Sequence, residues 1–158
     1  MKSGKLLCVL LLLAVISVPA VVSQSFGIGA EYGIPALGGL PQNAMLTFKV
    51  SEVPFVVGIG MQLGQSNFNL GLTLDWWLHH QHLVGIIDLY AGPGLYLMLP
   101  SSFILGGRIP VGLRIWPLGS SLLEVFLEIA PGLTFIDSSG VNIPNFTLQA
   151  AVGFRFWF

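Results

Sequence analysis

The chain has 158 residues, a formal net charge of −1, 54% hydrophobic residues and only 8% charged ones. An ordinary globular domain carries about 25% charged residues, so this chain cannot clothe a water-exposed surface, and its near-neutral balance gives a nucleic-acid partner no electrostatic support. Beyond Val22 no apolar run is long enough for a helical membrane span.

The N-terminus carries Lys2 and Lys5 and then runs apolar from Leu6 to Val22, with Ser17 and Pro19 late in the run. A basic start, an apolar stretch and small residues after it describe a secretory signal peptide. Cleavage after Ala20 or after Ser23 satisfies the pattern; Ser23 is preferred because strand-like alternation begins soon after it. The competing reading is an uncleaved anchor. Residues 1–23 are thus expected to be the signal and 24–158 a single domain. Cys8, the only cysteine, lies inside the apolar run behind Leu6 and Leu7. It lacks the small residue that precedes a lipidated cysteine, and the remaining chain has no disulfide and no thiolate metal site.

From there the chain reads as strands of alternating character. The first runs from Phe26 to Ile34, and Pro35 to Asn43 is a turn-rich loop. The second is Ala44 to Val50, followed by a tight Ser51–Pro54 connection. The third spans Phe55 to Gly64, with a turn at 65–67, and the fourth Phe68 to Leu78. His79 to Gly85 is expected to be a connection. The fifth strand, Ile87 to Leu97, contains Pro93, which removes a ladder donor and predicts a bulge or break. Met98 to Gly107 forms a longer loop. The sixth strand is Arg108 to Trp116, and Pro117 to Ser121 a short turn. The seventh is Leu123 to Phe135, 136–145 the last loop, and Phe146 to Phe158 the eighth strand. The expected fold is all-β: an eight-stranded, antiparallel, up-and-down barrel.

The eighth strand is the most regular. Phe146, Leu148, Ala150, Val152, Phe154, Phe156 and Phe158 share one face. Its ending, Val152-x-Phe154-x-Phe156-x-Phe158, resembles the C-terminal signature of bacterial outer-membrane β-barrels, and the chain length resembles the small barrels of the OmpA, OmpX and OmpW type. The resemblance implies a transmembrane barrel in the outer membrane, with outer-membrane lipid as its surroundings. It also implies that the barrel-assembly machinery reads Val152, Phe154, Phe156 and Phe158.

Alternation alone does not separate a membrane barrel from a secreted, soluble ligand-binding barrel with its apolar face inward. The charges do. Glu52 and Asp137 fall in connections. Glu31, Lys49, Asp75, Asp88, Arg108, Arg114, Glu124, Glu128 and Arg155 all fall on the non-apolar face, together with many of the 20 glycines. A solvated surface would be rich in Lys and Glu, whereas a narrow lumen needs small residues beside a few large ones. That face is therefore expected to be the lumen. The resemblance puts the C-terminus on the periplasmic side, so 35–43, 65–67, 98–107 and 136–145 become extracellular. Trp76, Trp77, Trp116 and Trp157 then lie near the periplasmic end, where an interfacial girdle belongs.

Counting from turn centres pairs Arg114 with Glu124 and Asp75 with Asp88 across neighbouring strands. Two opposed carboxylates need a cation, and Arg114 is the expected partner of Asp88. The nine lumen charges are expected to form a network, with Lys49, Asp75, Asp88, Arg114, Glu124 and Arg155 at the periplasmic end and Glu31, Arg108 and Glu128 above. An eight-stranded barrel is only wide enough for its own side chains, which favours a plug over a gate. His79, His80 and His82 invite a zinc reading, but adjacent histidines on extended backbone diverge, and no metal or other cofactor is inferred. Acyl-trimming barrels use His at the opposite rim, so no enzyme activity is expected. The preferred function is a non-enzymatic membrane barrel with a structural or surface-interaction role. The alternatives are a narrow channel for small or hydrophobic solutes, which a clear path past Tyr90, Tyr96, Phe126 and Trp157 would favour, and the soluble barrel. Neither the oligomeric state nor a surface partner is legible.

Overall fold

The computed structural model describes residues 25–37, 44–62, 69–100, 103–118, 121–137 and 140–158. The expected signal peptide and the turn at 65–67 lie outside these. The described residues form eleven strand segments and no helix: β1 (Phe26–Leu37), β2 (Ala44–Val50), β3 (Phe55–Met61), β4 (Asn69–Trp76), β5 (His79–Val84), β6 (Ile87–Ala91), β7 (Gly94–Pro100), β8 (Ile104–Arg108), β9 (Val111–Ile115), β10 (Leu123–Asp137) and β11 (Gly140–Trp157). β4 with β5, β6 with β7, and β8 with β9 each make one broken stave. Eight staves therefore pair antiparallel in chain order, and β11 closes on β1. At the closure Phe158 N–H donates to Phe26 O at 2.8 Å, and Ser25 N–H to Phe158 O at 2.9 Å.

The register fixes the shape. Starting at Ile87, paired positions run through Ile115, Val125, Phe154, Ala30, Leu46, Ile59 and Leu72 and return to the starting stave at Leu97. The stagger is ten residues (97 − 87). With about 3.3 Å per residue and about 4.8 Å between staves, ten over eight tilts the strands by about 40°. At that tilt the interior has room for side chains and little else.

Three prolines and a glycine shape the wall. The break expected at Pro93 is present, between β6 and β7. A second, not anticipated, falls at Ile109–Pro110 inside the expected sixth strand. Each break is bridged by a proline carbonyl: Trp76 N–H donates to Pro93 O, Gly92 to Pro110 O and Ile109 to Pro131 O, at 2.8, 3.2 and 2.8 Å. Proline offers no N–H to a ladder, so strand pairing on this side is interrupted along a diagonal. Gly92 is needed there, since a Cβ would sit 1.7 Å from Trp76 O. On the outer face the diagonal leaves an apolar dent of about 400 Å³, bounded by Pro93, Ile109, Pro131, Phe135 and Phe146.

Three connections differ from expectation. His79 to Val84 is strand, not a connection, and turns tightly at Gly85 with φ +60°. The loops expected at 98–107 and 136–145 are largely strand, since β7 runs to Pro100, β8 starts at Ile104, β10 reaches Asp137 and β11 starts at Gly140. The third strand ends at Met61, short of Gly64.

The two faces have opposite chemistry. Leu46, Leu74, Leu95, Ile129, Phe146 and Phe154 are among the many large apolar side chains exposed on the outside. The inside buries Glu31, Lys49, Asp75, Arg108, Glu124, Glu128 and Arg155. Large lumen side chains face glycines on the adjacent stave: Tyr90 opposes Gly112, Tyr96 Gly106, Phe126 Gly153 and Met45 Gly60. A Cβ on any of these glycines would come within 2.3–2.4 Å of the opposing side chain. The glycines of the lumen face are thus the space into which its aromatic rings fit.

Candidate functional site: a filled lumen with a cup at one mouth

The lumen charges separate into layers rather than one network. In the middle, Arg108 makes a paired contact with the Asp75 carboxylate, Nε to Oδ1 at 2.8 Å and a second, shorter bond through its terminal nitrogen to Oδ2. Glu128 Oε1 lies 3.6 Å from the same guanidinium, and Tyr90 donates to Glu128 Oε2 at 2.8 Å. Three carboxylates, Glu31 included, thus crowd one arginine, and Glu31 Oε1 has no hydrogen-bond partner.

Nearer Phe158, Arg155 donates to Glu124 at 2.7 Å and to Thr47 at 3.3 Å. Trp157 Nε1 donates to the other Glu124 oxygen at 2.7 Å. The Arg155 guanidinium also lies 4.6 Å from the Phe126 ring centroid and 5.3 Å from that of Trp77, within cation–π range. Trp77 stacks on Tyr90 with centroids 3.9 Å apart. Tyr90, Tyr96, Phe126 and Trp157 are all buried, so the positions that would border a clear path instead fill it. Trp77, Tyr90, Phe126 and Arg155 form a floor across the barrel.

Below the floor, at the mouth bearing Ser25 and Phe158, is an open cup of about 550 Å³. Lys49, Arg114 and His80 supply its nitrogen groups, Trp77, Trp116 and Trp157 its apolar walls, and Ser51–Pro54 and Ser121 its rim. The Arg114 Nε lies 3.2 Å from Asp88 Oδ2, although not aligned for a hydrogen bond. Asp88 also contacts His82 at 2.9 Å and accepts from Trp116 Nε1 at 3.3 Å. Lys49 is different. Its Nζ reaches only backbone oxygens, Val53 O at 3.1 Å and Val50 O at 3.5 Å. Among the described residues no carboxylate is within salt-bridge distance of it, yet Lys49 is 5% exposed. His80, on the hairpin that projects past the rim, is held below the ordinary imidazole range, first by partial burial and then by the Arg114 and Lys49 charges.

Several expected pairings are corrected. Arg114 faces Phe126, not Glu124, because the connection runs from Trp116 through Leu122, two residues longer than expected, and moves the register by two residues. Glu124 instead faces Arg155. Asp75 faces Gly94 and belongs to the middle layer, while Asp88 faces His82 across the Gly85 turn. The expected Asp88–Arg114 contact is present. Among the described residues no group of three metal-binding side chains assembles. The tryptophan girdle shrinks to Trp76: Trp77 and Trp157 are buried in the lumen and Trp116 lines the cup. Strand alternation dictates this, since Trp77 and Trp157 share the face of Asp75 and Arg155. On the outer face Trp76 packs on Phe55, with centroids 5.4 Å apart. Val152 and Phe154 also point outward, Phe154 packs against Phe156, and the Phe158 backbone closes the wall.

Thr47 and Gln149 contact Arg155 and Arg108 respectively and were not singled out in the sequence, while His82, weighed there only as a zinc ligand, contacts Asp88. Thr47 and Gln149 share the parity of the charged lumen positions Lys49 and Arg155, which is the signal that could have found them. Comparison with known protein families, curated proteins and solved structures finds no match.

Proposed function

We propose that this protein is a non-enzymatic, integral barrel of a bacterial outer membrane, exported by residues 1–23, whose side-chain-filled lumen makes it a structural or surface-interaction element rather than a pore. The observation that carries this reading is the reversed polarity of the wall. A water-soluble barrel that exposed Leu74, Leu95, Ile109, Leu127 and Ile129 while burying nine-tenths or more of Glu124, Arg155, Asp75 and Arg108 would forgo most hydrophobic stabilisation and still desolvate its charges. In lipid the same arrangement is the favourable one, because closure satisfies the backbone and the greasy face meets acyl chains. The outward apolar positions of β10 run from Leu123 to Phe135. At about 3.3 Å per residue and a tilt of about 40° that band is about 30 Å tall, the thickness of a bilayer core. The outward face of Val152, Phe154, Phe156 and Phe158 on the closing strand suits recognition by the assembly machinery.

The test is to refold residues 24–158 into lipid and record far-UV circular dichroism beside single-channel conductance. A β spectrum that requires lipid or detergent, with no openings, is expected. A β spectrum in plain buffer would overturn the membrane reading, and reproducible openings would overturn the filled lumen.

A further inference from the structure

We propose that the cup at the mouth bearing Ser25 and Phe158 is a binding site for a small organic anion, its acid group held between Lys49 and Arg114 and its flat apolar body against Trp116 and Trp157. The Lys49 ammonium carries the argument. A buried cation is normally matched by a carboxylate, because its desolvation is costly otherwise. The Arg155 and Arg108 guanidiniums have such partners at 2.7 and 2.8 Å. Lys49 has carbonyl oxygens and the Trp77 ring face at 5.2 Å, and no carboxylate within salt-bridge distance among the described residues.

The surroundings select the ligand class. Arg114 lines the same cup and is anchored from behind by Asp88, so two cations approach one space from different staves. Glu52 on the rim is the acidic member of the lining and disfavours multiply charged anions. The Trp116 and Trp157 rings, with centroids 6.1 Å apart, offer an aromatic wall. A volume of about 550 Å³ falls within the range for small-ligand sites. A monoanion carried on a ring fits all four features, and the floor of Trp77, Tyr90, Phe126 and Arg155 makes the cup a terminus rather than an entrance. The inference rests on the barrel geometry and not on the membrane reading.

The experiment is isothermal titration of p-toluenesulfonate into the refolded barrel in zwitterionic micelles, with the uncharged p-toluenesulfonamide and protein-free micelles as comparisons. Saturable one-site binding of the sulfonate, at least tenfold tighter than the sulfonamide, is expected. Lys49→Met should lose at least tenfold in affinity while its dichroism spectrum is unchanged, and Lys49→Arg should restore most of it. Arg114→Gln supplies a second loss should Lys49→Met fold poorly. Equal binding of both probes, or undiminished binding in Lys49→Met and Arg114→Gln, would overturn the site.

Discussion

Arg155 and Lys49 face the same lumen two staves apart, and the contrast between their settings separates what holds the barrel from what it can offer a ligand. Arg155 has a carboxylate, a hydroxyl and two ring faces around it. Its partner Glu124 is wholly buried and is used at both oxygens. Lys49, toward the mouth, has only backbone oxygens and a ring. The polar groups around Arg155 and Glu124 are matched to one another, and those of Lys49 at the cup are not matched by a carboxylate. A completed network rigidifies, whereas an incomplete one at an opening is poised for a partner.

The contrast can be broken experimentally in order of expected effect. Arg155→Ala leaves Glu124 charged and unpaired at zero exposure, and should cost about 3–5 kcal/mol, measured by urea unfolding in micelles; a loss below about 1 kcal/mol would remove the floor from the account. Gly153→Val forces a side chain into the Phe126 ring, where a Cβ alone meets Cζ at 2.3 Å. Overpacking of this kind should cost about 1–3 kcal/mol, read from the temperature at which the folded gel band is lost. Arg114→Gln should cost about 1 kcal/mol or less, because the pair with Asp88 is partly solvated. Lys49→Met should leave stability unchanged or raise it, since it removes a buried charge that makes no direct ion pair among the described residues. The smallest effect concerns pH. His80 lies below its ordinary range, so it gains charge only as pH falls through that depressed value, and p-toluenesulfonate affinity should rise modestly, by about 1 kcal/mol, between pH 7.5 and 5.

Much of the fold was legible because β structure has a period of two. The parity that put Glu31, Lys49, Asp75 and Arg155 on one face needed no knowledge of the turns. Pairing did need it. Two residues more in the connection, which runs from Trp116 through Leu122 rather than from Pro117 to Ser121, replace the Arg114–Glu124 neighbour by Arg114–Phe126, and a tight turn at Gly85 in place of a seven-residue connection separates Asp75 from Asp88. The interruption at Pro110 was illegible for another reason: its carbonyl is used by Gly92 on the adjacent stave, a relation that exists only once the register is known. The tryptophans show how a positional argument can outrun a parity argument. All four lie toward one end, yet parity sends Trp77 and Trp157 inward.

That parity also gives the most direct test of the central claim, that the apolar outer face meets lipid while the lumen is filled and shielded. Two single-tryptophan barrels would be refolded into bilayers containing brominated lipid, one retaining only Trp76 and the other only Trp157, the rest replaced by Phe. Trp76, 44% exposed on the outer wall, should be strongly quenched, and Trp157, 5% exposed and bonded to Glu124, should keep its emission. Equal quenching of the two, or emission of Trp76 indifferent to the brominated chains, would contradict the account.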